Sequence, residues 1–243
     1  MAIDTLLGLL SQSFNVFKKS IKTIIPVIIL YTIIYNIFIG SIFPNQNLNT
    51  MDDLLLFSDS ISINFPSLLL VIFINVLYYV IIIKYIFVQI KSLNNNILNI
   101  GQLFYLLISV ILISIFSTLP AILILTISVN SIFILLAILS FIILYYFVFL
   151  FVPYIMIDKE QSFQNSIFLS YVLAKKYYSR IILFGVFYIL FNIILMFIST
   201  FISLFISAIS PSMGLLSNQV FLNTGSYLLL TWFAHFYIYL SKK

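Results

Sequence analysis

Cysteine is absent from this 243-residue chain, and charge is scarce. Without thiols there are no disulfides, no thiolate nucleophiles and no Cys-ligated zinc or iron–sulfur centre. The single histidine, His235, excludes multi-histidine metal sites. Six glycines supply no glycine-rich phosphate loop. Charged residues make up 7% of the chain, against about 25% in a soluble globular protein, whose surface must stay hydrated. What the chain has in place of charge is apolar bulk, 63% of its residues. Such a composition cannot cover a water-facing surface, so its solvent is mostly lipid.

A helix that spans the hydrocarbon needs roughly 20 mostly apolar residues. Runs of that kind lie at 24–42, 67–90, 103–127, 132–157, 181–208 and 219–240. The expected fold is therefore all-α: a polytopic integral membrane protein, one membrane domain over 1–243, with about six transmembrane helices arranged as hairpins.

The charges then orient the chain. Lys18, Lys19 and Lys22 precede the first run, and Lys84 and Lys91 end the second. Lys159, Lys175, Lys176 and Arg180 lie between the fourth and fifth, and Lys242 and Lys243 follow the sixth. With six spans and a cytoplasmic start, every one of these falls on the cytoplasmic side, as the positive-inside rule requires. The opposite loops carry Asp52, Asp53 and Asp59 instead. Both termini are expected in the cytoplasm. The formal net charge of +5 is thus read as a topology signal and not as a nucleic-acid surface.

Three segments between these runs are amphipathic. In 3–22, Ile3, Leu6, Leu7, Leu10, Phe14, Phe17 and Ile21 recur at helical spacing, with Gln12, Asn15 and the lysines opposite. In 84–102, Ile86, Ile90, Leu93, Ile97 and Ile100 form one stripe, and 161–180 shows a weaker version. Such helices lie in the cytoplasmic membrane interface, where their lysines attract anionic lipid head groups. The basic runs Lys18–Lys22 and Lys175–Arg180, each before a span, suggest a repeated helix-plus-hairpin unit.

Residues 150–192 read LFVPYIMIDKEQSFQNSIFLSYVLAKKYYSRIILFGVFYILFN. A span ends in Val152-Pro153, then comes Asp158-Lys159, then a helix with Ser166, Ser170 and Leu173, then basic residues and a new span. This pattern, the Phe43-Pro44 end of the first span and the basic C-terminus resemble the YciC family of uncharacterised bacterial inner-membrane proteins. The chain departs where the family has a Pro-Gly turn between spans three and four; here stands Ser128-Val129-Asn130-Ser131. The resemblance implies a multi-pass protein of the bacterial inner membrane and carries over no catalytic residues.

Few side chains are candidates for chemistry. His235 sits in the last run among Trp232, Phe233, Phe236, Tyr237 and Tyr239. A proton relay is one reading of it; an interhelical hydrogen bond in an aromatic belt is the blander one and is preferred. Asp158 and Glu160 are the acids of the central cytoplasmic loop. Their i, i+2 spacing does not share a helix face, so capping of 161–180 and charge balance with Lys159 are expected. Asp52, Asp53 and Asp59 lack the spacing of a calcium loop. Asn36, Asn75, Gln89 and Asn192 lie inside apolar runs and are expected to bond across helices, and Lys84 to snorkel.

No cofactor and no metal is expected, and no hydrolytic or transferase activity. The chain reads as a non-enzymatic envelope accessory or scaffold component, alternatively as a passive transporter or lipid-handling protein. Expected partners are the bilayer, its anionic head groups and another membrane protein.

Overall fold

A computed structural model describes residues 3–42, 65–91, 100–127 and 131–242. The described residues form seven α-helices and no strand: α1 (Ile3–Ile42), α2 (Phe65–Lys91), α3 (Ile100–Ile127), α4 (Ser131–Leu144), α5 (Val152–Lys159), α6 (Phe163–Ser207) and α7 (Pro211–Ser241). A π-helical turn, Tyr145–Phe149, joins α4 to α5. The loop with Asp52, Asp53 and Asp59, the turn at 128–130, the middle of the 84–102 stripe and Lys243 lie outside the described residues.

Four stretches are long and apolar enough to cross a membrane: Asp4–Phe38, Leu69–Lys91, Gly101–Ala121 and Phe163–Ser207. At about 1.5 Å of rise per residue, each reaches through a hydrocarbon core of about 30 Å.

The structure redraws several expected boundaries. The segments 3–22 and 24–42 are one helix, because nothing between Gly8 and Pro26 interrupts helical geometry. The segments 161–180 and 181–208 are also merged, with a kink at Tyr177 (φ −122°, ψ 25°) near the expected junction. The run at 132–157 is broken instead. Pro153 lies in the first turn of α5, has no N–H, and its ring would clash with the carbonyl four residues back. The chain widens into the π turn just before it. The backbone N–H of Phe151, released by this break, donates to the Ser170 hydroxyl at 3.2 Å. The last run, 219–240, lies within α7 but is not among the four apolar stretches. Its amide, hydroxyl and imidazole side chains dilute the hydropathy.

Along 3–22, Gln12, Asn15, Lys18, Lys19 and Lys22 are exposed and Leu6 is buried. Leu7 is 55% exposed and Phe14 37%, while Ser13 and Ser20 are buried. In lipid the outer surface is apolar, so small polar residues take the contact with other helices. The same holds for α6, where Phe197 is 74% exposed.

The described chain packs as two compact units. One comprises Met1–Phe17, Val80–Phe191 and Leu228–Lys243. Its core is aromatic: Phe184 stacks on Phe236 with ring centroids 4.2 Å apart, and Tyr154 lies 4.8 Å from Phe233. Such pairs add about 0.5–1.5 kcal/mol each beyond area burial. The other comprises Lys18–Tyr79 and Asn192–Tyr227, and is held by polar bonds and small residues.

Candidate functional site

The polar groups of α7 lie four residues apart: Gln219, Asn223, Tyr227, Thr231 and His235. Four-residue spacing forms one of the ridges of a helix surface. In the second unit this ridge meets α1. Ser20 Oγ and Tyr227 Oη are 2.6 Å apart. Asn223 Nδ2 donates to Thr32 Oγ1 at 2.9 Å, and Thr32 donates in turn to the Ile28 carbonyl. Asn36 Nδ2 donates to Gln219 Oε1. The α1 number rises as the α7 number falls, so the two helices run antiparallel here. A neighbouring group adds Tyr31, which donates to Asn75 and stacks on Tyr78 with centroids 3.8 Å apart. Asn36 and Asn75 thus bond across helices, whereas Asn192 is exposed. The buried Oδ1 of Asn218 has no hydrogen-bond partner.

In the first unit His235 meets Ser13. His235 Nδ1 is 3.1 Å from Ser13 Oγ and 3.0 Å from the Thr231 carbonyl. Ser13 Oγ donates to the Leu9 carbonyl at 2.8 Å. A carbonyl only accepts, and a hydroxyl has one proton to give. All three contacts are satisfied together only when Nδ1 carries the proton and Ser13 accepts it. The pair has the composition of a serine–histidine dyad, but its proton points the wrong way: the hydroxyl donates to its own helix and not to the imidazole. The contact is an interhelical bond.

His235 and the acids are not joined through any described bond. Asp158 pairs with Lys91 and accepts from the Tyr237 hydroxyl at 3.0 Å. The carboxylate is therefore held between the ends of α2, α5 and α7 and does not cap the helix that follows. That cap is Ser162, whose Oγ accepts from Asn165 N at 3.4 Å and whose carbonyl accepts from Ser166 N. Glu160 closes α5 in the left-handed conformation, φ 51°, with its side chain exposed. Lys84 is buried and donates to Gln102 Oε1 at 3.2 Å, so it finds a partner within the protein.

The remaining basic residues differ among themselves. Lys18, Lys19, Lys22, Lys175 and Lys242 are exposed. Lys176 Nζ and Arg180 Cζ both sit over the Tyr177 ring, 4.9 and 5.2 Å from its centroid. Among the described residues no group of three or more His, Cys, Asp or Glu is placed to hold a metal ion.

Comparison with models of protein families, with curated proteins and with solved structures finds no match to this chain.

Proposed function

We propose that the chain is a multi-pass protein of a bacterial inner membrane, of the kind its YciC-like sequence pattern implies, acting as a non-enzymatic accessory or scaffold component. Its termini face the cytoplasm, and Lys18, Lys19 and Lys22 lie against anionic head groups. The observation that carries this reading is the use made of the polar side chains. His235, Asp158, Asn36, Gln219 and Asn223 are engaged in bonds between helices, where they fix packing. In the one pair that could form a nucleophilic dyad, the Ser13 hydroxyl donates to the Leu9 carbonyl and not to His235, so it lacks a base to take its proton.

A second reading, passive transport or lipid handling, is favoured by one feature. Tyr31, Asn36, Asn75, Tyr78, Gln219 and Asn223 are uncharged and only half-buried, and Gln219 and Asn223 lie close in sequence to the unpartnered Asn218. Uncharged donors and acceptors of this sort match a neutral polar solute without burying an unpaired charge.

Affinity purification in mild detergent, with mass spectrometry of proteins and small molecules, separates the two. A stoichiometric protein partner is the expected result. A retained solute without a protein partner sinks the scaffold reading.

A further inference from the structure

We propose that Arg180, at the kink of α6, holds the phosphate of an anionic phospholipid whose acyl chain lies along Leu183, Phe187 and Leu190. Arg180 is the sole arginine in the sequence, and its Nη1 is buried with no hydrogen-bond partner. A guanidinium cannot escape such a position by losing its proton. A buried, charged N–H without an acceptor therefore calls for an anion. Arginine's planar fork matches phosphate oxygens in a way a lysine does not.

Two further observations fit a lipid. Lys176 and Arg180 both approach the buried Tyr177 ring, so a second cation lies near the arginine's aromatic partner. An anion held by Arg180 is attracted by this second positive charge as well. Below Arg180, positions 183, 187 and 190 follow at three- and four-residue spacing and so continue its face. Leu183 and Phe187 are half-buried, and Leu190 is 51% exposed, which leaves an apolar strip. Ten residues of helix are about 15 Å, the depth of one leaflet's hydrocarbon. A free phosphate uses the cation and leaves the strip bare. A lipid uses both, and that decides between them.

This site rests on the membrane placement and on neither the scaffold nor the transport reading. The full chain, purified in a mild nonionic detergent, is titrated with dioleoyl phosphatidylglycerol, dioleoyl phosphatidylcholine or inorganic phosphate, and bound lipid is counted by native mass spectrometry. The wild type should bind phosphatidylglycerol about tenfold tighter than phosphatidylcholine, and millimolar phosphate should not compete. Arg180→Gln should lose that preference, and Arg180→Lys should keep only part of it. Lys242→Gln, which alters charge elsewhere, should bind as the wild type does. An Arg180→Gln variant of undiminished affinity overturns the site. Competition by free phosphate at lipid-like concentration assigns the site to a soluble anion and overturns the lipid. If Arg180→Gln aggregates, the wild-type ratio decides: equal binding of the two lipids overturns the proposal. Recovery of the chain in the soluble fraction after carbonate washing overturns the membrane placement, and the site with it.

Discussion

Ser13 and His235, 222 positions apart, share a hydrogen bond of 3.1 Å. Because Thr231 and Leu9 supply carbonyls on either side, the bond fixes the imidazole as the Nδ1–H tautomer. The histidine is unique in the sequence, so its nitrogen resonances are unambiguous. Nitrogen-15 spectra of the detergent-solubilised protein should place the proton on Nδ1 and leave Nε2 bare. A proton on Nε2 would reverse the direction of the Ser13 bond and reopen the dyad. A double-mutant cycle of Ser13→Ala and His235→Gln should give a coupling of about 0.6 kcal/mol, the usual scale for polar bonds between membrane helices.

Asp158 serves two donors of unequal exposure. Its side chain is 9% exposed, that of Lys91 34%, and Tyr237 is fully buried. When Asp158 is removed, Lys91 can rehydrate and the tyrosine hydroxyl cannot. Asp158→Ala should therefore lower stability by about 1–3 kcal/mol. Lys91→Ala should lower it by less than about 1 kcal/mol. Asp158→Asn keeps an acceptor for Tyr237 and should fall between them. Thermal unfolding in detergent ranks the three variants, and equal losses for Lys91→Ala and Asp158→Ala would show that the ion pair matters more than the Tyr237 bond.

Much of the helical frame was legible in the sequence, because long apolar runs report on the solvent around them. The runs at 24–42, 67–90, 103–127 and 181–208 all fall largely within the four apolar stretches of the structure. Helix ends were less legible. Lys22 and Thr23 look like a boundary by polarity, yet both are ordinary helical residues and the helix passes through them. Pro153 marks a break that hydropathy ignores, because proline acts through a missing hydrogen bond and a clash. The candidate site was hidden for a different reason. Periodicity marks the apolar stripe of 3–22 without saying what packs on its neighbours: Ser13 and Ser20 are inside with Leu6, while Leu7 and Phe14 are out. The available signal was the four-residue spacing of Gln219, Asn223, Tyr227, Thr231 and His235, a polar ridge on an apolar helix. The pairing of Asp158 with Lys91 and Tyr237 joins three separate helices, and local spacing holds no trace of it.

Four of the six glycines divide into two kinds. A Cβ at Gly8 or Gly185 meets nothing within 4 Å. Alanine at either should stabilise the chain by about 0.5–1 kcal/mol through helix propensity alone. A Cβ at Gly225 would stand 2.8 Å from Leu195 Cδ1, the end of a flexible side chain, and one at Gly214 would overlap both backbone and side chain of Ser207. Gly225→Ala should cost about 1 kcal/mol and Gly214→Ala more, within the range of about 1–3 kcal/mol for overpacking. Melting temperatures that fell equally for all four would show that these helices do not pack as described.

The absence of cysteine gives a direct test of topology, since any introduced thiol is the only one present. After its kink at Tyr177, α6 continues to Ser207, a length of about 45 Å at 1.5 Å per residue. That exceeds the roughly 30 Å of hydrocarbon, so this helix is long enough for its two ends to emerge on opposite sides. Gln161 lies before α6 beside the basic residues, and Ser210 lies in the turn before Pro211. With the lysines and Arg180 inside, a thiol at Ser210→Cys should react with an impermeant maleimide in intact cells, while Gln161→Cys should react only after the membrane is opened. Labelling of both from outside would show that α6 does not cross. The reverse order would invert the chain, placing Lys175, Lys176 and Arg180 outside against the positive-inside rule. A third thiol at Lys242→Cys then counts the crossings. If α7 crosses despite its polar ridge, this position is protected with Gln161; if α7 returns without crossing, it is labelled with Ser210. Protection is expected, because the polar groups of the ridge bond within the protein and leave α7 no unsatisfied group to hold out of the bilayer at those positions.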